Sequence, residues 1–176
     1  MNVKWLVGVI AALGLGVLTL PIVMEGDPQT PAPAGSACKA EGMANLDLTM
    51  KDLEGKEFKL SDQKGKVVLL NFWATWCAPC LAEIPDFVKV YNEQKDRGLV
   101  IVGVVTEDSI DQVRPFAQER NMTYPITLIT PQVEDAYGPL FGLPTSVLIA
   151  RDGSVCKRHF GPMSKEQLEK ELKPLL

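Results

Sequence analysis

Residues 66–74, KVVLLNFWA, present water with almost no polar face. A strand with one wet side alternates polar and apolar residues, and this run does not. It reads as a central strand buried on both faces, so the fold must supply a covering layer above it and another below. A second run of the same kind, LVIVGVVTED at residues 99–108, lies beyond a helical stretch, APCLAEIPDFVKVYNEQKDRG, which closes at Gly98. Pro85 inside that stretch predicts a kink. Further on, residues 109–121 form a helix with Ser109 as N-cap, YPITLI is a short strand, and QVEDAYG is a short helix. Residues 145–160 make two strands joined at Asp152-Gly153, and Ser164 with Gln167 opens a last helix through a capping box. Upstream, residues 46–60 alternate around Glu54-Gly55 and predict a hairpin. Strands alternating with helices imply an α/β domain, a central sheet with helices on both faces. The final hairpin is expected to add an antiparallel edge, making the sheet mixed.

The buried strand delivers the chain to WCAPC. Cys77 falls where strand gives way to helix, and free N–H groups at a helix N-terminus stabilise a thiolate. Cys80 is one turn on, with Cβ atoms about 5–6 Å apart before adjustment, so a small rotation closes a disulfide. Pro79 has its φ already set for a first helical turn. This spacing suits a disulfide that opens and closes without refolding. A permanent bridge is the plainer reading, but such bridges usually pin distant segments. Structural zinc is disfavoured by ligand count: one close pair, two distant cysteines and the single histidine, His159. Glu83, again one turn on, is by default a solvated helix carboxylate. The apolar Ile84, Phe87 and Val88 place a buried side close by, where a carboxyl would have a raised pKa and could relay a proton for the second thiol.

The N-terminus carries an address. Lys4 precedes an apolar run from residue 5 to 24, and Glu25 and Asp27 follow it. About 20 helical residues span roughly 30 Å, a bilayer core. The charge asymmetry keeps the terminus in the cytoplasm and sends the rest across. A cleaved signal peptide is the competing reading, but the nearest small-residue site, Ala32-Pro33-Ala34, lies well past the run. The division expected is a signal anchor at 1–24, a Pro/Ala-rich tether at 25–45 and one folded domain at 46–176. The domain would work at a bacterial membrane, facing the periplasm or extracytoplasmic side, where disulfides persist. A formal net charge of −4 argues against a nucleic-acid partner.

WCAPC behind FWATW, with GLPTSVLI far downstream, resembles a thioredoxin-like fold. WCAPCLAEIP resembles the TlpA/ResA family of membrane-anchored thiol-disulfide oxidoreductases. The resemblance covers residues 45–176 and implies a mixed sheet flanked by helices, an N-terminal hairpin, and a helix–strand insertion at about 109–129. It implies that Cys77 is the exposed nucleophile, Cys80 the resolving thiol and Glu83 the acidic active-site residue. Trp76, Pro79, Leu143 and Pro144 would bind substrate, with Pro144 as a cis-proline facing the cysteine pair. An ordinary trans turn proline is the other reading of GLPT. Asn71 stands where thioredoxin has a buried aspartate and cannot act as a base, which shifts proton relay to Glu83. Related redoxins include peroxidases, but their cysteine environment is absent.

Cys38 and Cys156 remain. Two thiols in an oxidising compartment invite a bond, which would staple the tether to the sheet edge. Two free cysteines are the alternative, and His159 reads as a structural residue. The expected activity is reduction of protein disulfides, for example in apocytochrome c or copper-site proteins, with electrons from a transmembrane thiol donor and no cofactor or metal. A DsbA-like oxidant is the near rival, disfavoured because Ala78-Pro79 lacks a histidine. A Cu(I)-binding module is the rival of another class, disfavoured because no His or Met stands near the pair.

Overall fold

The computed structural model describes residues 38–176. The signal anchor, the Ala32-Pro33-Ala34 site and most of the tether lie outside them. Eight strands and four helices follow one another: β1 Gly42–Met43, β2 Thr49–Lys51, β3 Glu57–Lys59, β4 Val67–Trp73, α1 Ala78–Gln94, β5 Leu99–Val105, α2 Ile110–Glu119, β6 Ile126–Leu128, α3 Pro131–Tyr137, β7 Thr145–Ile149, β8 Ser154–Phe160 and α4 Lys165–Leu172. Six strands form one sheet in the order β1-β8-β7-β4-β5-β6, and β2 pairs with β3 as a separate hairpin. Pairing is parallel along β4-β5-β6 and antiparallel from β4 through β7 and β8 to β1. This is a thioredoxin-like α/β fold.

The apolar run does what its composition requires. Every residue of β4 is buried. Val67, Leu69 and Trp73 pack with α1, α2 and α4, whereas Val68, Leu70 and Phe72 pack with α3 and the β2–β3 region. α1 runs through Pro85 unbroken to Gln94, and a 3-10 turn then leads to Gly98, which has φ 93°. A side chain at Gly98 would be strained in that conformation, and its Cβ would stand 2.8 Å from Arg151 Nη1. Ser164 caps α4, accepting from Gln167 N–H while its own N–H donates to Gln167 Oε1.

Two expectations about the sheet change. The β7–β8 hairpin is not its edge, because β1 pairs outside β8, Gly42 opposite Val155 and Met43 opposite Ser154. The folded domain therefore begins before residue 46, inside the stretch read as tether. The reason is physical: a two-residue edge strand held by main-chain bonds needs no apolar period, so AEGMAN carries no mark of it. Glu41 N–H donates to Val155 O at 2.8 Å and Ala44 N–H to Gly153 O at 2.8 Å. Next to this pairing Cys38 is disulfide-bonded to Cys156, Cα–Cα 5.5 Å, across 118 residues of sequence.

Gly103 on β5 is the register partner of Asn71 on β4. A Cβ there would lie 2.9 Å from Trp73 Nε1 and 3.2 Å from Tyr124 Cε2, both in rigid rings. Gly103→Ala should therefore cost about 1–3 kcal/mol, as overpacking does. Urea unfolding checks it, and an unchanged midpoint would show that the two rings move aside freely.

Candidate active site

β4 ends at Trp73, and its carbonyl accepts from Thr106 N–H at 3.1 Å. Thr75 then gives both its N–H (2.7 Å) and its hydroxyl (2.9 Å) to the two carboxylate oxygens of Asp108. Charge-assisted bonds of this kind are short and strong, so the loop after β4 is fastened to the loop after β5. Cys77 follows as N-cap of α1, in extended conformation, and its Sγ accepts from Cys80 N–H at 3.3 Å. The two cysteines are disulfide-bonded with Cα atoms 5.3 Å apart.

Cys77 is 3 % exposed and Cys80 0 %. The expectation of an openly exposed nucleophile is corrected for this oxidised form. The bond to Cys80 and the hydrogen bond from Cys80 N–H hold Cys77 Sγ at the start of α1. What access exists is on Cys77. Trp76 beside it is 61 % exposed, and Pro79 is exposed in the first turn. The Leu143–Pro144 peptide is cis. Because β7 runs antiparallel to β4 with Thr145 opposite Phe72, Pro144 and half-buried Leu143 come to the end of the sheet from which Cys77 emerges. Gly138–Pro139 is a second cis peptide.

Glu83 is 2 % exposed, on the side of α1 that faces the sheet. Oε1 accepts from Asn71 Nδ2 at 2.8 Å and Oε2 from Met163 N–H at 2.9 Å. The same Asn71 amide also donates to Ser146 Oγ at 3.1 Å. Burial pushes the carboxyl up to about 7, and the bonds from Met163 and Asn71 oppose that rise without cancelling it. Asn71 is thus the residue that orients the acid, a part that its inability to act as a base concealed. Ser146 and Met163 lie 63 and 80 residues beyond Glu83 in the chain, so no local spacing reveals them. Asp108 was likewise missed, and no local motif marks it.

Two more polar atoms sit nearby. Trp73 Nε1 and Tyr124 OH are buried without a hydrogen-bond partner, and the rings that carry them both border Gly103. Burial first, then the charge of Glu83, raises the Tyr124 phenol, so it stays protonated at neutral pH. His159 lies on β8 directly opposite Ser146, with Nε2 3.3 Å from Pro162 O. Among the described residues no group of three or more His, Cys, Asp or Glu is placed to hold a metal ion, and no helix is long and apolar enough to cross a membrane.

Residues 42–158 match the AhpC/TSA family. The thiol-disulfide oxidoreductase ResA of Bacillus thuringiensis (strain Al Hakam) is 38% identical over 129 residues, 73% of this chain and 74% of that protein. The thioredoxin-like protein YneN of Bacillus subtilis (strain 168) is 37% identical over 134 residues, 75% of this chain and 78% of that protein. Among solved structures, a thiol:disulfide interchange protein of the thioredoxin family from Chlorobium tepidum TLS superposes with a TM-score of 0.72 at 31% identity, covering 78% of this chain and 99% of its own. StoA from Bacillus subtilis superposes with a TM-score of 0.61 at 31% identity, covering 70% and 93%.

The raised carboxyl makes stability depend on pH. Glu83 titrates at about 7 when folded, against an ordinary value of 4.5. Between those values the folded state holds a proton that the unfolded chain has lost, so stability falls as pH rises through that window. At about 1.36 kcal/mol per unit the loss is roughly 3 kcal/mol. In Glu83→Gln this slope should vanish, so that the variant gains roughly 3 kcal/mol on the parent between pH 4.5 and pH 8. Urea midpoints at the two pH values measure it, and a pH-independent difference would mean that Glu83 is ionised throughout.

Proposed function

The chain belongs to the AhpC/TSA family, and from that membership together with the Cys77–Cys80 site we propose that it reduces protein disulfides outside the cytoplasm. Its activity is thiol–disulfide exchange, as in the ResA proteins it is similar to. The observation that carries this reading is the Cys77–Cys80 disulfide at the start of α1, one helical turn from a buried Glu83.

In the reduced protein, the N-terminus of α1 stabilises the Cys77 thiolate. That thiolate attacks one sulfur of a substrate disulfide. A bond forms between Cys77 and the substrate, and the substrate's other sulfur leaves as a thiolate. Cys80 then gives up its proton and attacks Cys77 Sγ, releasing the second substrate thiolate. Two electrons pass to the substrate, and the protein is left with the disulfide seen here. Cys80 lies in apolar surroundings that hold its proton, so a base within reach speeds the second step. Glu83, poised near 7, has the affinity for that task.

The reductive direction is supported by Ala78-Pro79, which lacks the histidine of strong oxidants. Disulfides of apocytochrome c or of copper-site proteins are the proposed substrates, with a transmembrane thiol carrier as electron donor. The apolar run at residues 5–24 supports a membrane anchor with the domain on the periplasmic side. Trp76, Pro79, Leu143 and Pro144 are proposed to meet the substrate around Cys77.

Cys77→Ser should lose disulfide reduction altogether. Cys80→Ser should accumulate mixed disulfides, visible on non-reducing gels as adducts that thiols release. Glu83→Gln should slow the resolving step about a hundredfold while sparing the first attack. Single-turnover kinetics separate the two steps, and a Cys77→Ser protein as active as the parent would end this mechanism. A topology reporter fused after Leu176 should be active only outside the cytoplasm, and a cytoplasmic signal would overturn the proposed location.

A further inference from the structure

β4 and β5 end side by side, with Trp73 opposite Val105. One more rung follows, because Trp73 O accepts from both Thr106 N–H and Thr106 Oγ1, at 3.1 and 3.4 Å. Past that rung each strand leaves the sheet by a loop that leads into a helix. The β4 loop is a tight turn in which Cys77 N–H donates to Ala74 O at 3.2 Å. Its second residue, Thr75, is tied through N–H and hydroxyl to the Asp108 carboxylate on the β5 loop. Among the described residues, Asp108 is the one side chain outside the turn that hydrogen-bonds to residues 74–77.

Asp108 is itself firmly placed. The next residue, Ser109, is the N-cap of α2, and its N–H donates to Gln112 Oε1 at 3.0 Å. α2 buries Val113 and Ala117 in the core, and its Phe116 ring lies against Trp73 with centroids 5.6 Å apart. The carboxylate is therefore a fixed post, and the turn that carries Cys77 is fastened to it. In the oxidised form the bond to Cys80 restrains Cys77 as well. Once that bond opens, the link to Asp108 is the side-chain restraint left upstream of the nucleophile. A restraint present in both forms matters most to the form that would otherwise be free. It therefore lowers the ordering cost of closing the disulfide.

We propose that Asp108 is a positioning residue for thiol–disulfide exchange: through Thr75 it holds Cys77 at the start of α1, within reach of Cys80, while the pair is not bonded. The inference rests on the exchange activity above and adds a residue to it. In that activity Cys77 forms a mixed disulfide with the substrate, and Cys80 must then strike Cys77 Sγ. A Cys77 that moves with a loose turn is struck less often, whereas its own attack on a substrate needs only the thiolate. Loss of the hold should therefore slow the second step more than the first, and it should make the closed pair easier to reduce. The hold is mechanical and does not depend on the charge. An asparagine at this position keeps it, because Oδ1 accepts from Thr75 N–H and Nδ2 donates to Thr75 Oγ1.

The test uses the full-length protein and glutathione. Cys77 of the reduced protein attacks glutathione disulfide and releases one glutathione. Cys80 then displaces the other, and two electrons have passed from the pair to glutathione. Rapid acid quench separates the two steps, and equilibration in glutathione buffers gives the reduction potential. Asp108→Ala should slow the second step about tenfold and the first step much less. Its potential should rise by about 30 mV, the equivalent of a tenfold change in the equilibrium constant. Asp108→Asn should stay within about threefold of the parent. Thr75→Val keeps the N–H bond and should slow the second step about threefold, adding nothing further in the Asp108→Ala background. Parent values in Asp108→Ala, or an asparagine variant as impaired as the alanine one, overturn the positioning role. Should Asp108→Ala fail to fold, Thr75→Val decides, and an unchanged second step and potential overturn the proposal. A strongly oxidising parent would overturn the reductive direction alone, because the difference between parent and variants still decides the part of Asp108.

Discussion

The burial of β4 on both faces constrains everything else in this domain. A strand covered above and below has no water on which to discharge a polar side chain, so Asn71, its one polar member, must find partners inside. It finds two, Glu83 from the helix and Ser146 from the neighbouring strand. The same burial lets the strand hand the chain directly into a helix N-terminus, where Cys77 sits. Structure and chemistry thus share one origin: the dry strand brings the Asn71 amide and the Glu83 carboxyl into a fixed pair, and a carboxyl in a dry place has a shifted proton affinity.

The cradle around Glu83 shows how such a group is tolerated. An unpaired buried carboxylate is costly, and two donors relieve part of that cost. Met163 contributes a backbone N–H, which any residue except proline would offer, and Asn71 contributes an amide that never titrates. The donors therefore stay constant while the carboxyl changes charge. A lysine or arginine in either place would hold the carboxylate ionised, far from neutral titration. The choice of neutral donors leaves the acid near its point of balance.

How much of this was legible follows from the range of each interaction. The alternation of buried strands and helices, the cysteine pair at a helix start, and the Ser164–Gln167 cap are local patterns, and the chain folds accordingly. Glu83 was reachable because Ile84 and Phe87 mark the buried side of its helix. The partners of Glu83 were not, because Ser146 and Met163 come from elements far along the chain. β1 escaped because main-chain pairing writes nothing into side chains. Cys77 was expected to be open from the family resemblance alone, and no local pattern spoke to its burial, which is nearly complete in the disulfide-bonded form.

One consequence reaches past the site. Glu83 lies one helical turn from Cys80, so its appetite for a proton depends on whether that sulfur is bonded or carries charge. Free-energy coupling is mutual: if the sulfur's state alters the carboxyl's hold on a proton, the proton alters the sulfur's hold on electrons to the same extent. The domain is then a transducer in which the acidity of its surroundings sets the voltage at which the pair accepts electrons. A carrier of that kind would deliver reducing power differently in acid and neutral surroundings, with no change in its partners and no moving part beyond one proton.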